Sequence, residues 1–226
     1  MTIEAVIFDF GGVFTPSPFD AVRIAGAAVG LGEDEAMLAV FGPYDRDTDH
    51  PWHQAERGEL DLSAVRTHIL DAARADGYEL DLYDVLSSMS GAVVRADMVD
   101  RTRKLRADGY LTGMITNNVA EFRDFWRPML PLDELFDVVV DSSEVGMRKP
   151  DPRIFALLLD ALGGVEAARS VFLDDYLGNV VAAQAMGMHG ILVGSDHRAA
   201  INELDGLLHD ESLASSTSDK PSGTNS

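Results

Sequence analysis

Reactive side chains in this chain cluster where buried strands run out. Residues 5–8, AVIF, form an apolar run that ends at Asp9 and is followed by Gly11-Gly12. That pattern reads as a strand delivering a carboxylate into a glycine-rich turn. A run from Tyr110 to Thr116 ends at Asn117-Asn118, one from Phe136 to Val140 ends at Asp141, and one from Ser170 to Leu173 ends at Asp174-Asp175. Lys149 stands just ahead of Asp151-Pro152, a pair suited to the N-cap and first position of a helix. A carboxylate in such a place can act as a nucleophile. Two adjacent acids leaving a buried strand repel each other unless a cation or hydrogen bonds compensate. Taken singly, Asp9 is a cap or turn residue, Thr116-Asn117 a turn and Lys149 a solvated lysine. Gathered at one edge of one sheet, they point to an anionic substrate and a metal ion.

The elements that would position these groups alternate between strand and helix. A helix over 97–108 stops at Gly109, and another runs from Asp151 with Ile154, Leu157, Leu158 and Ala161 as its apolar stripe. A third is closed by Gly187, and Ile191 to Val193 supplies a fifth strand. Such alternation predicts a Rossmann-like, doubly wound parallel α/β sheet, which binds ligands beyond the carboxyl ends of its strands. Residues 1–14 and 96–210 are expected to form this core. The intervening 15–95 carry helix-face spacings (Phe19, Val22 and Val29, then Val65, Ile69 and Ala73) and read as an inserted helical cap domain. The serine-rich end, 211–226, is expected to be a disordered tail.

The segments VIFDFGGV, MITNN, GMRKPDPRIF and VFLDDYLGNVVAAQAMGM resemble, in order and across the whole core, the four motifs of the haloacid dehalogenase (HAD) superfamily. The branch they are most similar to is subfamily IA, with its bacterial sugar-1-phosphate phosphatases and the N-terminal phosphatase domain of soluble epoxide hydrolase. The resemblance implies a phosphatase that attacks a small, sugar-phosphate-like ester through an aspartyl-phosphate on Asp9. It implies Mg2+ held by Asp9, Asp175 and the carbonyl of Gly11, with Asp174 acting through a water. Thr116 and Asn117 would donate to the phosphoryl oxygens, and Lys149 would balance the developing charge. Receiver domains of two-component systems use similar residues, but with the acidic pair first and the lysine last.

One position departs from the pattern. Most phosphatases of the superfamily carry a second aspartate two residues after the nucleophile as general acid and base, and here it is Gly11. Two alternatives follow: a metal-independent 2-haloacid dehalogenase-like hydrolase, which the acidic pair disfavours, and a non-catalytic phosphate-binding or regulatory protein. In the cap, HPWHQAERGEL offers His53, Glu56 and Arg57 as substrate-binding residues, with His50 and His53 spaced as a conceivable metal pair.

Bulk composition narrows the partners. The chain has 226 residues, 46% apolar and 25% charged, with no cysteine, so thiolate chemistry and disulfides are excluded. Its formal charge of −20 opposes nucleic-acid binding, and an anion site must be made locally positive. A small phosphorylated metabolite is the expected partner. No segment reads as a signal or a membrane span, so a cytoplasmic protein is expected. Oligomeric state is left open.

Overall fold

In the computed structural model, which describes residues 2–89 and 91–218, β1 (Ala5–Phe8) is the middle strand of a five-stranded parallel sheet. The insert that follows holds α1 (Pro18–Ala28), α2 (Glu33–Phe41), α3 (Pro51–Glu56), α4 (Leu62–Ala75) and α5 (Leu82–Ser88). The chain returns through α6 (Ala96–Ala107) to β2 (Leu111–Thr116), then passes the short helices α7 (Arg123–Trp126) and α8 (Leu132–Leu135). It continues with β3 (Val138–Asp141), α9 (Ser142–Val145), α10 (Pro152–Ala161), β4 (Ser170–Asp174), α11 (Leu177–Ala185), β5 (His189–Leu192) and α12 (His197–Ser218). The sheet order is β3-β2-β1-β4-β5, with Phe8 level with Met114 on one side and Leu173 on the other.

Alternation along β1 explains why the sheet is covered on both faces. Val6 and Phe8 pack with Met98, Leu105 and Leu204, which belong to α6 and α12. Ala5 and Ile7 face the other way, onto Phe155, Leu158 and Ala183 of α10 and α11. Successive side chains of a strand point to opposite faces, so an all-apolar run is what a doubly covered strand requires. The insert buries a core of its own, including Val22, Val40, Phe41, Val65, Ile69 and Leu82.

The expected elements are found with shifted ends, and three details differ. On α10 the buried stripe is Ile154, Phe155, Leu158 and Leu159, while Leu157 is 37% exposed. The stripe is rotated by the need to place Phe155 edge-on against Phe172 of β4. The third strand starts at Val138, after Phe136 has turned into the core beside Phe8 and Phe14. Helix α12 extends to Ser218, so the first part of the segment expected to be a disordered tail is helical, and 219–226 lie outside the described residues. Among the described residues no helix is long and apolar enough to cross a membrane.

Candidate active site

Three parallel strands end side by side, and their last residues converge. The Asp9 N–H still donates to the carbonyl of Leu173 at 2.8 Å, so β1 keeps its register with β4 up to the point where its carboxylate emerges. Asp9, Asp174 and Asp175 each bring a carboxylate oxygen to within 4.8 Å of the others. Lys149, wholly buried, bridges two of them: its Nζ lies 2.8 Å from Asp9 Oδ1 and 2.7 Å from Asp174 Oδ2.

The two members of the acidic pair are held differently. Asp174 is buried and saturated. Its oxygens accept from Lys149 Nζ, from the Tyr176 N–H at 2.8 Å, and from Asn179 Nδ2 at 3.1 and 3.2 Å. Asp175 accepts from the Ser17 hydroxyl, at the start of the insert. Burial, followed by repulsion from Asp174 and Asp9, pushes the Asp175 carboxyl well above its ordinary range. Asp9 is raised to about 7, chiefly by burial, with Asp174 adding to the rise and Lys149 opposing it. For Lys149, burial works against the ammonium but the Asp174 and Asp9 charges outweigh it, and its pKa is raised. A nest of hard oxygen donors with one cation for three acids fits a divalent ion such as magnesium.

The glycine turn makes room for this arrangement. Gly12 has φ 71°, and a Cβ there would fall 1.9 Å from Asp175 Oδ2, so the carboxylate occupies the space a side chain would need. Gly11 is different: a Cβ there would meet only the Pro18 ring, at 3.3 and 3.5 Å.

The remaining predicted residues divide. Thr116 is buried at the end of β2 and lines a chamber of 770 Å³ between core and insert. Asn117 also lines it, but its side chain is spent on the backbone of Lys149: Oδ1 accepts from the N–H at 2.8 Å and Nδ2 donates to the carbonyl at 3.0 Å. Its side chain therefore positions the lysine, and of its own groups the backbone N–H is the one left to donate to a phosphoryl oxygen.

The insert residues are held chiefly by protein partners. His53 is fully buried and its Nδ1 accepts from the Thr48 N–H at 3.0 Å, which pins the loop before α3. Burial and the nearby Arg148 charge lower its pKa to about 3, so it is neutral at physiological pH. His50 Nδ1 accepts from the Trp52 N–H as a helix cap, which removes the pair as metal ligands. Arg57 is tied to Glu59, Asp47 and the Thr48 carbonyl and lies off the chamber. Glu56 does line the chamber, but its carboxylate accepts from Tyr44 Oη and Trp52 Nε1, both at 2.8 Å, and from Arg148 Nε at 2.6 Å. Arg148 in turn lies 4.6 Å above the Tyr44 ring. These groups clasp the insert to the core.

Sequence reasoning passed over Ser17, Tyr44, Arg95, Arg148 and Asn179. Arg95 binds the carbonyls of Gly12 and Val13, fixing the turn after Asp9 from the far end of the insert. Two had a local signal: Arg148 as the charged neighbour of Lys149 in GMRKP, and Asn179 in DDYLGN just after the acidic pair. Ser17, Tyr44 and Arg95 reach the site through contacts that span 73 to 158 positions of sequence, whereas Asn179 bonds to Asp174 only five residues away.

An acidic cluster clamped by a buried lysine, at the carboxyl edge of a doubly wound sheet, belongs to an α/β hydrolytic enzyme. Residues 3–187 match the haloacid dehalogenase-like hydrolases, and the chain belongs to that family. It is 30% identical to the sesquiterpene phosphatase astK of Aspergillus oryzae, over 92% of this chain and 97% of that protein. It is 29% identical to rat bifunctional epoxide hydrolase 2 over 91% of its own length. The animal relatives are longer proteins, and the chain spans 19% to 39% of them. Among solved structures, a predicted HAD-like family hydrolase from Porphyromonas gingivalis superposes with a TM-score of 0.63 and 26% identity, covering 90% of this chain and 98% of that one.

Proposed function

We propose that this protein is a magnesium-dependent phosphatase that hydrolyses a small phosphate monoester, with Asp9 as nucleophile and the helical insert as a cap over the site. The observation that carries the reading is the Asp9–Asp174–Asp175 cluster closed around Lys149. Such a cluster favours an anionic phosphoryl group together with a cation over a 2-haloacid.

Asp9 would attack phosphorus with one carboxylate oxygen while the bond from phosphorus to the alcohol oxygen breaks. Lys149 holds Asp9 in line and keeps a positive charge in place as negative charge shifts toward the leaving oxygen. Asn117 locks Lys149 by both of its backbone groups, and the Thr116 hydroxyl stands ready to donate to a phosphoryl oxygen. Water then attacks the phosphorus of the aspartyl-phosphate, the bond to Asp9 breaks, and phosphate leaves with the carboxylate restored. Magnesium, bound by Asp9, Asp175 and the Gly11 carbonyl with Asp174 supporting, would neutralise charge on the phosphoryl group. Gly11 offers no carboxyl to protonate the leaving alcohol. That same fact favours the second reading, a phosphate binder without turnover.

The test is release of phosphate from a panel of monoesters in magnesium and in excess chelator, for the wild type and Asp9→Asn. An amide is nearly isosteric but is a poor nucleophile, so the variant should stay folded and lose at least about a thousandfold in kcat. Full activity in chelator would remove the magnesium reading, and wild-type rates from Asp9→Asn would remove the nucleophile.

A further inference from the structure

We propose that the alcohol half of the substrate is a hydrocarbon-like group, held in the apolar chamber between insert and core. This rests on the phosphatase reading for the phosphoryl end and deepens it.

The chamber is contiguous with the reaction site, because Gly11, Thr116 and Asn117 form one part of its wall. At 770 Å³ it exceeds what a phosphoryl group needs and falls among chambers, roughly 300–1,000 Å³, that bury most of a drug-sized ligand. Apolar side chains dominate the rest of the wall, and both bodies contribute. The insert gives Phe19, Ile24 and Phe41, and the core gives Phe122, Phe125 and Met129.

Ile24 and Phe125 carry the argument furthest. They are 71% and 62% exposed, one on α1 and one on α7, and both line this chamber. Large apolar groups left open beside a deep concave site mark a ligand surface more often than scattered exposure does.

Away from Thr116 and Asn118, at the end next to the reaction site, the polar lining is largely committed. Thr15 donates to the Pro16 carbonyl, Ser17 to Asp175, Tyr44 to Glu56 and Ser88 to the Val85 carbonyl. The two lining carboxylates are likewise engaged: Asp20 with Arg23, and Glu56 with Tyr44, Trp52 and Arg148. Among the described residues no lysine, arginine or histidine lines the chamber. A polyhydroxylated alcohol entering here would give up its water with few partners to replace it, and each unpaired hydroxyl would count against it. A hydrocarbon chain or ring incurs no such loss and gains from every methylene removed from water. The expected sugar-like alcohol therefore gives way to an apolar one.

The experiment is calorimetric titration of the magnesium-loaded protein with n-alkylphosphonates of two, six and ten carbons, below their micelle concentrations, and with glucose 6-phosphate. These phosphonates are not hydrolysed, so binding is read whether or not the protein turns over. Kd should fall by up to about fourfold per methylene, the ratio set by burying a CH₂, until the chamber is filled. The heat-capacity change should grow more negative along the series. Phe125→Asp and Ile24→Asp, both at exposed positions, should flatten the dependence on chain length. A Kd independent of chain length, or glucose 6-phosphate binding more tightly than the decyl compound, overturns the proposal. Phosphate release from ethyl phosphate separately decides the phosphatase reading, so the two can fail independently.

Discussion

Replacing Gly11 by aspartate should convert this site into one with a leaving-group acid, and the structure sets the size of the effect. A Cβ at Gly11 meets only the Cδ and Cγ of Pro18, at 3.3 and 3.5 Å. Gly11 is not among the glycines with positive φ, so aspartate needs no left-handed backbone there. The contact asks the Pro18 ring at the start of α1 to yield by a few tenths of an ångström, within the roughly 1–3 kcal/mol typical of mild overpacking. A well-placed general acid is worth about 10²–10⁴-fold, or roughly 3–5 kcal/mol. The balance favours a gain, of about tenfold or more in kcat, for alkyl esters whose alkoxides leave poorly. Aryl esters, which depart readily as anions, should gain little. The assay is kcat at saturating magnesium for ethyl phosphate and 4-nitrophenyl phosphate in wild type and Gly11→Asp. Gly12→Ala is the contrast: its Cβ would fall on the Asp175 carboxylate, so it should lose magnesium binding and stability together. A folded, magnesium-binding Gly11→Asp protein that loses the same fraction of activity on both esters would refute the reasoning.

Three further outcomes are expected. Asp175→Asn should raise the magnesium concentration for half-maximal activity more than Asp174→Asn does, whereas Asp174→Asn should cost more in Tm, because Asp174 holds Lys149, Asn179 and the Tyr176 N–H. Metal titrations and melting curves of both variants check this. The Asp9 carboxyl, raised to about 7 in the fold from an ordinary 3.8, binds a proton between those values that the unfolded chain has lost. Metal-free stability from this group therefore falls as pH rises from about 4 to 7 and is level above, while magnesium needs the ionised form. The Tm gain on adding magnesium should thus be larger at pH 8 than at pH 5.5, and an equal gain would contradict the assignment. Glu56→Gln takes from the buried Arg148 its directly bonded carboxylate, leaving Asp47 at 3.8 Å as the remaining counter-charge, and should destabilise by up to about 3–5 kcal/mol in denaturant unfolding. A change below 1 kcal/mol would mean the clasp is not electrostatic.

Local pattern and global assembly contributed to different parts of this protein. The run at 5–8, the acids and glycines after it, and the Asp151-Pro152 helix start were legible because each is a short-range signal. A strand buried on both faces must be apolar throughout, and a cap must be the residue that satisfies free N–H groups. The four reactive positions could be placed at one sheet edge for the same reason: parallel strands with helical crossovers put all their carboxyl ends on one side. The insert residues could not be assigned this way. HPWHQAERGEL carries the right chemistry for a substrate site, yet His53 turns inward to Thr48, Arg57 bonds to its own surface, and Glu56 meets Arg148 across 92 positions of sequence. Whether a polar side chain faces a ligand or a partner depends on which distant charge arrives beside it, and that is decided only when insert and core close together. The same closure brings Ile24 and Phe125 to one chamber. Each alone is an unremarked exposed apolar residue, and only tertiary packing makes them two parts of one wall.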